Sequence, residues 1–164
     1  MVLGMSIETF TLVHVLISLV GIVTGFVVLF GMFGSNMLRG WTALFLATTI
    51  LTSVTGFFFP AAGILPSHVV GIISLVFLAA AVVGYYGFGL AGAWRWIYAA
   101  CAVVALYLNV FVGVVQSFQK LSFLRPLAPT QSEPPFQIVQ GVVLLLCVVA
   151  GIVAIRRFHP RAAA

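Results

Sequence analysis

Very few residues in this chain could do acid–base or ligand chemistry. There are three histidines (His14, His68, His159), two carboxylates (Glu8, Glu133) and no aspartate. A Ser-His-Asp triad is therefore impossible. A glutamate version would need Glu133 or Glu8, and Glu8 falls on a different helical face from His14. A paired-carboxylate site would need Glu8 and Glu133 to meet, and nothing in the sequence asks them to. Cys101 and Cys147 form no CxxC pair and suggest neither zinc nor a disulfide framework, so they read as small packing residues. The segment GYYGFGLAG, from Gly84 to Gly92, lacks the Lys-Ser/Thr that completes a phosphate loop. An enzyme, and hydrolysis above all, is the class these residues support least.

His14 is the sharpest candidate. An ionisable group inside an apolar run is costly in lipid, which makes it a functional hypothesis by default. The competing reading is a neutral imidazole hydrogen-bonded to a neighbouring helix. His68 follows Pro66-Ser67 near a helix start and could simply sit at the interface. His159 lies beyond Arg156-Arg157 and reads as solvated tail. Asn109, Gln116, Gln140, Ser18 and Thr52 complete the polar set within apolar segments. Each could touch a ligand or bond a neighbouring helix.

The elements that hold these residues follow from composition. Of 164 residues, 63% are hydrophobic and 5% charged, with mean hydropathy +1.29. A soluble domain carries about 25% charged residues. A chain this short lacks the charged shell it would need in water, so its solvent is lipid. About 20 apolar residues cross the hydrocarbon core. Five runs meet that length: about 7–30, 41–59, 67–88, 94–118 and 136–156. All seven prolines fall outside them, as helix stops, starts or loop residues. Helices are expected because backbone groups in lipid must be bonded internally, and no alternation at period two suggests a barrel. The reading is an all-α, polytopic transmembrane bundle in one domain. Its longest connection, 119–135, carries four prolines. No internal repeat is evident. No positive region precedes the first run, so that run is expected to stay in the mature protein.

Charge gives the direction. Call the face where the first run begins side A, and the opposite face side B. Side A holds Lys120 and Arg125; side B holds Arg39, Arg95, Arg156, Arg157 and Arg161. The positive-inside rule then places side B in the cytoplasm, with the N-terminus outside. Trp41, Trp94, Trp96, Tyr85 and Tyr86 gather at side B as an interfacial belt. The basic residues lie between apolar runs as topology signals, and no nucleic-acid motif accompanies them.

Each run has one marked face. His14, Ser18, Gly21 and Gly25 form a stripe, ending in a GxxxG pair. Thr42, Thr49, Ser53 and Gly56 share a second, with Thr48, Thr52 and Thr55 in a row beside it. Ser67, Gly71 and Ser74 align, with His68 adjacent. Ala102, Ala105, Asn109, Gly113 and Gln116 align, as do Gln140, Cys147 and Gly151. Packing explains such stripes readily: small residues let helices approach, and lipid offers polar groups no partner. Their depth is less ordinary. His14, His68, Asn109, Gln116, Gln140, Thr52, Ser53 and Thr55 all fall in the half nearer side A. At a rise of 1.5 Å per residue, His14 lies about 6 Å and Asn109 about 10 Å below that boundary. A polar cavity open to side A would account for the grouping.

Three functions fit this pattern. An accessory or scaffold subunit, assembling with other membrane proteins or with itself, asks least of the residues. A small-solute transporter or channel would use the Asn/Thr/Ser/Gln cluster. With no carboxylate deep in any run, His14 would be its intramembrane titrating group, and one small chain would need to oligomerise. A redox protein would use His14 and His68 on haem b, or one of them on a quinone. Against it, His14 lies several Å deeper than His68. The segments TSVTGFFFP and LPSHVVGIISL have the look of small bacterial membrane proteins but point to no particular family; the expected location is a bacterial inner membrane.

Overall fold

The apolar runs become five helices: α1 (Ile7–Phe33), α2 (Arg39–Gly56), α3 (Pro66–Val82), α4 (Trp94–Lys120) and α5 (Pro134–Arg157). The computed structural model describes residues 2–160 apart from 61, 62, 64 and 65; Arg161, counted above on side B, lies outside the described residues. Four helices, counting α3 through Gly87, are long and apolar enough to cross a membrane. The protein is a multi-pass membrane protein.

α2 differs from the other four. It has 18 residues, so it is about 27 Å long, and it carries Thr42, Thr48, Thr49, Thr52, Ser53 and Thr55. Those hydroxyls lower its apolarity. They are tolerated because several bond carbonyls one turn back, as Thr48 does to Leu44 and Thr52 to Thr48. Its expected end at Phe59 falls instead at Gly56: the Phe57 N–H turns back to Val54, ahead of Pro60.

Local sequence sets the other boundaries. Ser6 caps α1, its Oγ accepting the Thr9 N–H at 3.1 Å. Pro66 opens α3, and Pro134-Pro135 open α5, where their missing N–H groups lose nothing. α3 ends in a π-helical turn, Val83–Gly87, which the apolar run did not reveal. A methyl group at Gly84 would lie 3.2 Å from Trp94 Cε3. The extra residue in this turn thus accompanies the close approach of α3 to the start of α4.

Pairwise contacts fix the arrangement. α1 runs antiparallel to both α2 and α4: Gly21 faces Thr48, Thr49 and Asn109, and Gly25 faces Phe45 and Leu106. α2 pairs with α3 through Ser53 and Ser74. α4 pairs with α5 through Phe111 and Gln140 at one end and Val103 and Gly151 further along. The continuous apolar core lies in the half nearer side B, around Met32, Phe45, Leu78, Tyr98, Leu106 and Phe158. Arg95 donates to the carbonyls of Ile155 and Phe158, which ties the end of α5 to the start of α4.

Candidate functional site

The α1 stripe meets the second hydroxyl row of α2 rung by rung. His14 Nδ1 lies 2.7 Å from Thr55 Oγ1, and Ser18 Oγ donates to Thr52 Oγ1 at 3.4 Å. Further down, Gly21 lets Thr48 and Thr49 approach, and Gly25 lets Phe45 approach. The helices are close because these four positions are small or reach across.

The His14 bond can be read for its proton. Thr55 has one hydroxyl hydrogen and two acceptors within 2.7 Å, the Leu51 carbonyl and His14 Nδ1. Where the hydrogen goes to His14, Nε2 carries the ring hydrogen; where it goes to Leu51, Nδ1–H donates to Thr55 Oγ1 and Nε2 carries a lone pair. Such an Nε2 can accept a proton or ligate a metal. It cannot donate to a quinone carbonyl unless the ring is charged. The ring is half-buried, and the Phe59 ring meets it edge-on at 5.1 Å. Phe59 also packs on buried Phe10, at 5.0 Å between centroids. His68 has a different aromatic partner: its ring stacks on Phe57 at 5.5 Å, with planes 20° apart.

Asn109 and Thr49 form a second focus. Both are buried, and a methyl group at Gly21 would sit 3.0 Å from Asn109 Nδ2 and 3.1 Å from Thr49 Oγ1. Neither atom has a hydrogen-bond partner among the described residues. Gln140 is buried as well, with Nε2 donating to the Phe111 carbonyl at 3.2 Å and Oε1 unpaired. An unpaired buried polar group costs about 1–3 kcal/mol. These three atoms therefore mark either tolerated packing defects or places where something polar binds.

The expected site residues thus separate into groups. His14, Ser18 and Thr52 belong to the α1–α2 seam. Asn109 joins that seam from α4, through Gly21. His68 sits beyond it with Phe57, and Gln140 lies on the α4–α5 seam. Gln116 is half-buried near the end of α4 and makes none of these bonds. Of the helix-packing glycines, Gly21 and Gly25 are buried. Gly71 admits the Phe57 ring, Gly113 lies near Ile22, Gly151 lies near Val103, and Gly56 lies beside His14. Among the described residues, no group of three or more His, Cys, Asp or Glu is placed to hold a metal ion.

Sequence reasoning missed two parts of this arrangement. The Ser53–Ser74 bond, 3.2 Å, joins two separate stripes that spacing alone could not pair. Phe57 and Phe59, which contact the two histidines, lie in the run FFFP, whose spacing carries no sign of either contact. Compared with family models, curated proteins and solved structures, the chain matches none.

Proposed function

We propose that this protein is an accessory or scaffold component of a membrane assembly. The supporting observation is the use of its intramembrane polar groups. His14, Ser18, Ser53 and Gln140 each bond across a helix boundary within the chain. Bonds of this kind hold a bundle in one arrangement without requiring a ligand. The outer faces are aliphatic. α5 is the least enclosed of the spanning helices, with 17% of its most apolar window buried. Ile138, Leu145 and Leu146 point away from the chain, toward lipid or a partner helix.

Solubilisation in a mild detergent, followed by native mass measurement of the tagged protein, tests this reading. A stable complex containing other membrane chains is expected. A species built only from copies of the 17.5 kDa chain overturns it.

One observation favours a second reading, a small-solute transporter or channel acting as an oligomer. Thr49 Oγ1, Asn109 Nδ2 and Gln140 Oε1 are buried polar atoms free to bind a polar solute. Proteoliposome uptake across a panel of polar solutes tests it, and flat curves for wild type sink it.

A further inference from the structure

The two ends of the bundle differ in charge. Glu8 lies in the first turn of α1 and Glu133 caps α5, so both carboxylate side chains are at side A. Side B carries Arg39, Arg95, Arg156 and Arg157 with no carboxylate side chain to offset them. Arg95 is occupied by the carbonyls of Ile155 and Phe158. Arg39 is exposed, and it lines a cleft of about 570 Å³ together with Ser35, Asn36, Met37 and His159. That volume lies within the range of small-ligand sites, about 300–1,000 Å³.

The walls of this cleft are joined. One wall is the turn between α1 and α2. The other is the tail after α5, and the His159 N–H donates to Ser35 Oγ at 2.7 Å. The cleft thus brings two cation-capable side chains, from distant parts of the chain, to one fixed place. Asn36 adds an amide that donates and accepts. The exposed rings of Trp41, Tyr86 and Trp96 lie at the same end. Aromatics of this kind settle at headgroup level, which is also where lipid phosphates lie.

We propose that this cleft binds a phosphate-bearing anion, with Arg39 as the charged anchor and His159 and Asn36 as hydrogen-bond donors. The cleft's place at the same end as the exposed Trp41, Tyr86 and Trp96 rings favours the headgroup of an anionic lipid over soluble phosphate.

Two arms separate the sources. In the first, the protein is placed in nanodiscs of mixed phosphatidylglycerol and phosphatidylcholine, then partly delipidated, and the retained lipids are counted by native mass spectrometry. Wild type retains phosphatidylglycerol preferentially. Arg39→Gln lowers that preference more than tenfold, beyond the about fivefold that one basic side chain at an anionic surface accounts for. His159→Gln, in a tail outside the helical core, lowers it without disturbing the bundle. Arg157→Gln, exposed and outside the cleft lining, lowers it by no more than that roughly fivefold effect. In the second arm, inorganic phosphate is titrated into detergent-purified protein and Trp fluorescence is followed. Saturable binding lost in Arg39→Gln, without lipid preference, supports the site with a soluble ligand. Equal losses for Arg39→Gln and Arg157→Gln reduce the effect to diffuse charge and overturn the proposal. Absence of binding in both arms also overturns it.

Discussion

A methyl group at Gly25 would lie 2.6 Å from Leu106 Cδ1 and 2.9 Å from Phe45 Cε2. Both neighbours are almost fully buried, so each would have to shift within the core to admit it. Gly25→Ala is expected to destabilise the protein by about 1–3 kcal/mol, the scale of overpacking. Gly113→Ala, whose methyl would meet Ile22 Cδ1 at an ordinary 3.5 Å, should stay near wild type. Thermal unfolding in detergent checks the pair; equal effects would show that the seam yields. Thr49 makes the opposite prediction. Its Oγ1 is buried and unpaired, so isosteric Thr49→Val is expected to stabilise by about 1 kcal/mol. A loss of stability instead would reveal a polar partner for that hydroxyl and strengthen the solute reading. The His14–Thr55 bond can be isolated by a double-mutant cycle of His14→Ala and Thr55→Val. A coupling of about 0.6–1.7 kcal/mol is expected, as for other interhelical bonds in membranes. Zero coupling would mean the 2.7 Å contact contributes nothing to packing.

At the scale of elements, the four long spans were legible because apolar length is a strong signal and proline marks where helices start and stop. α2 was legible as a helix, but its surroundings were not. Hydroxyls on two faces give the same pattern whether they meet water, a ligand or two other helices. In the structure Thr55 and Thr52 meet α1 and Ser53 meets α3. The candidate site was legible in the same partial way. The stripe from His14 to Gly25 did predict one face, but the sequence held no information on which row of α2 it would meet. Nor could it show that His68 would stack on Phe57. The loop before α5 offers a pH test of local order. Glu133 accepts from the Thr130 hydroxyl and from the N–H groups of Thr130 and Ser132. Partial desolvation pushes its pKa up, but these bonds together outweigh it and hold the carboxyl below its ordinary value of 4.5. The group thus adds order fully above the unfolded value, and that order is lost as pH falls through the lower folded one. Lower hydrogen-exchange protection at Thr130 and Ser132, measured against the intrinsic rate at each pH, is expected in acid, and Glu133→Gln should show the low protection already at neutral pH. An exchange rate in the variant equal to wild type at neutral pH would show that the bonds do not order the loop.

At the scale of the whole molecule, the decisive asymmetry is between a side A half that holds most interhelical polar bonds and a side B half that holds the apolar core and most basic residues. The charge difference predicts direction. Basic residues close to a span resist translocation, and the six Lys and Arg among the described residues divide four to two in favour of side B. Side B should therefore face the cytoplasm, which would also place the Arg39 cleft against the leaflet where anionic headgroups attract basic segments. Single cysteines read this directly once Cys101 and Cys147 are replaced by alanine. Ser122 lies exposed in the side A loop, and Asn36 lies exposed in the turn at side B. Ser122→Cys should react with a membrane-impermeant maleimide in intact cells, and Asn36→Cys only after permeabilisation. The reverse pattern would put the N-terminus inside and turn the Arg39 cleft outward, leaving Arg39, Arg95, Arg156 and Arg157 on the translocated side. That outcome would mean something stronger than loop charge, such as a partner inserted alongside, sets the orientation of this chain.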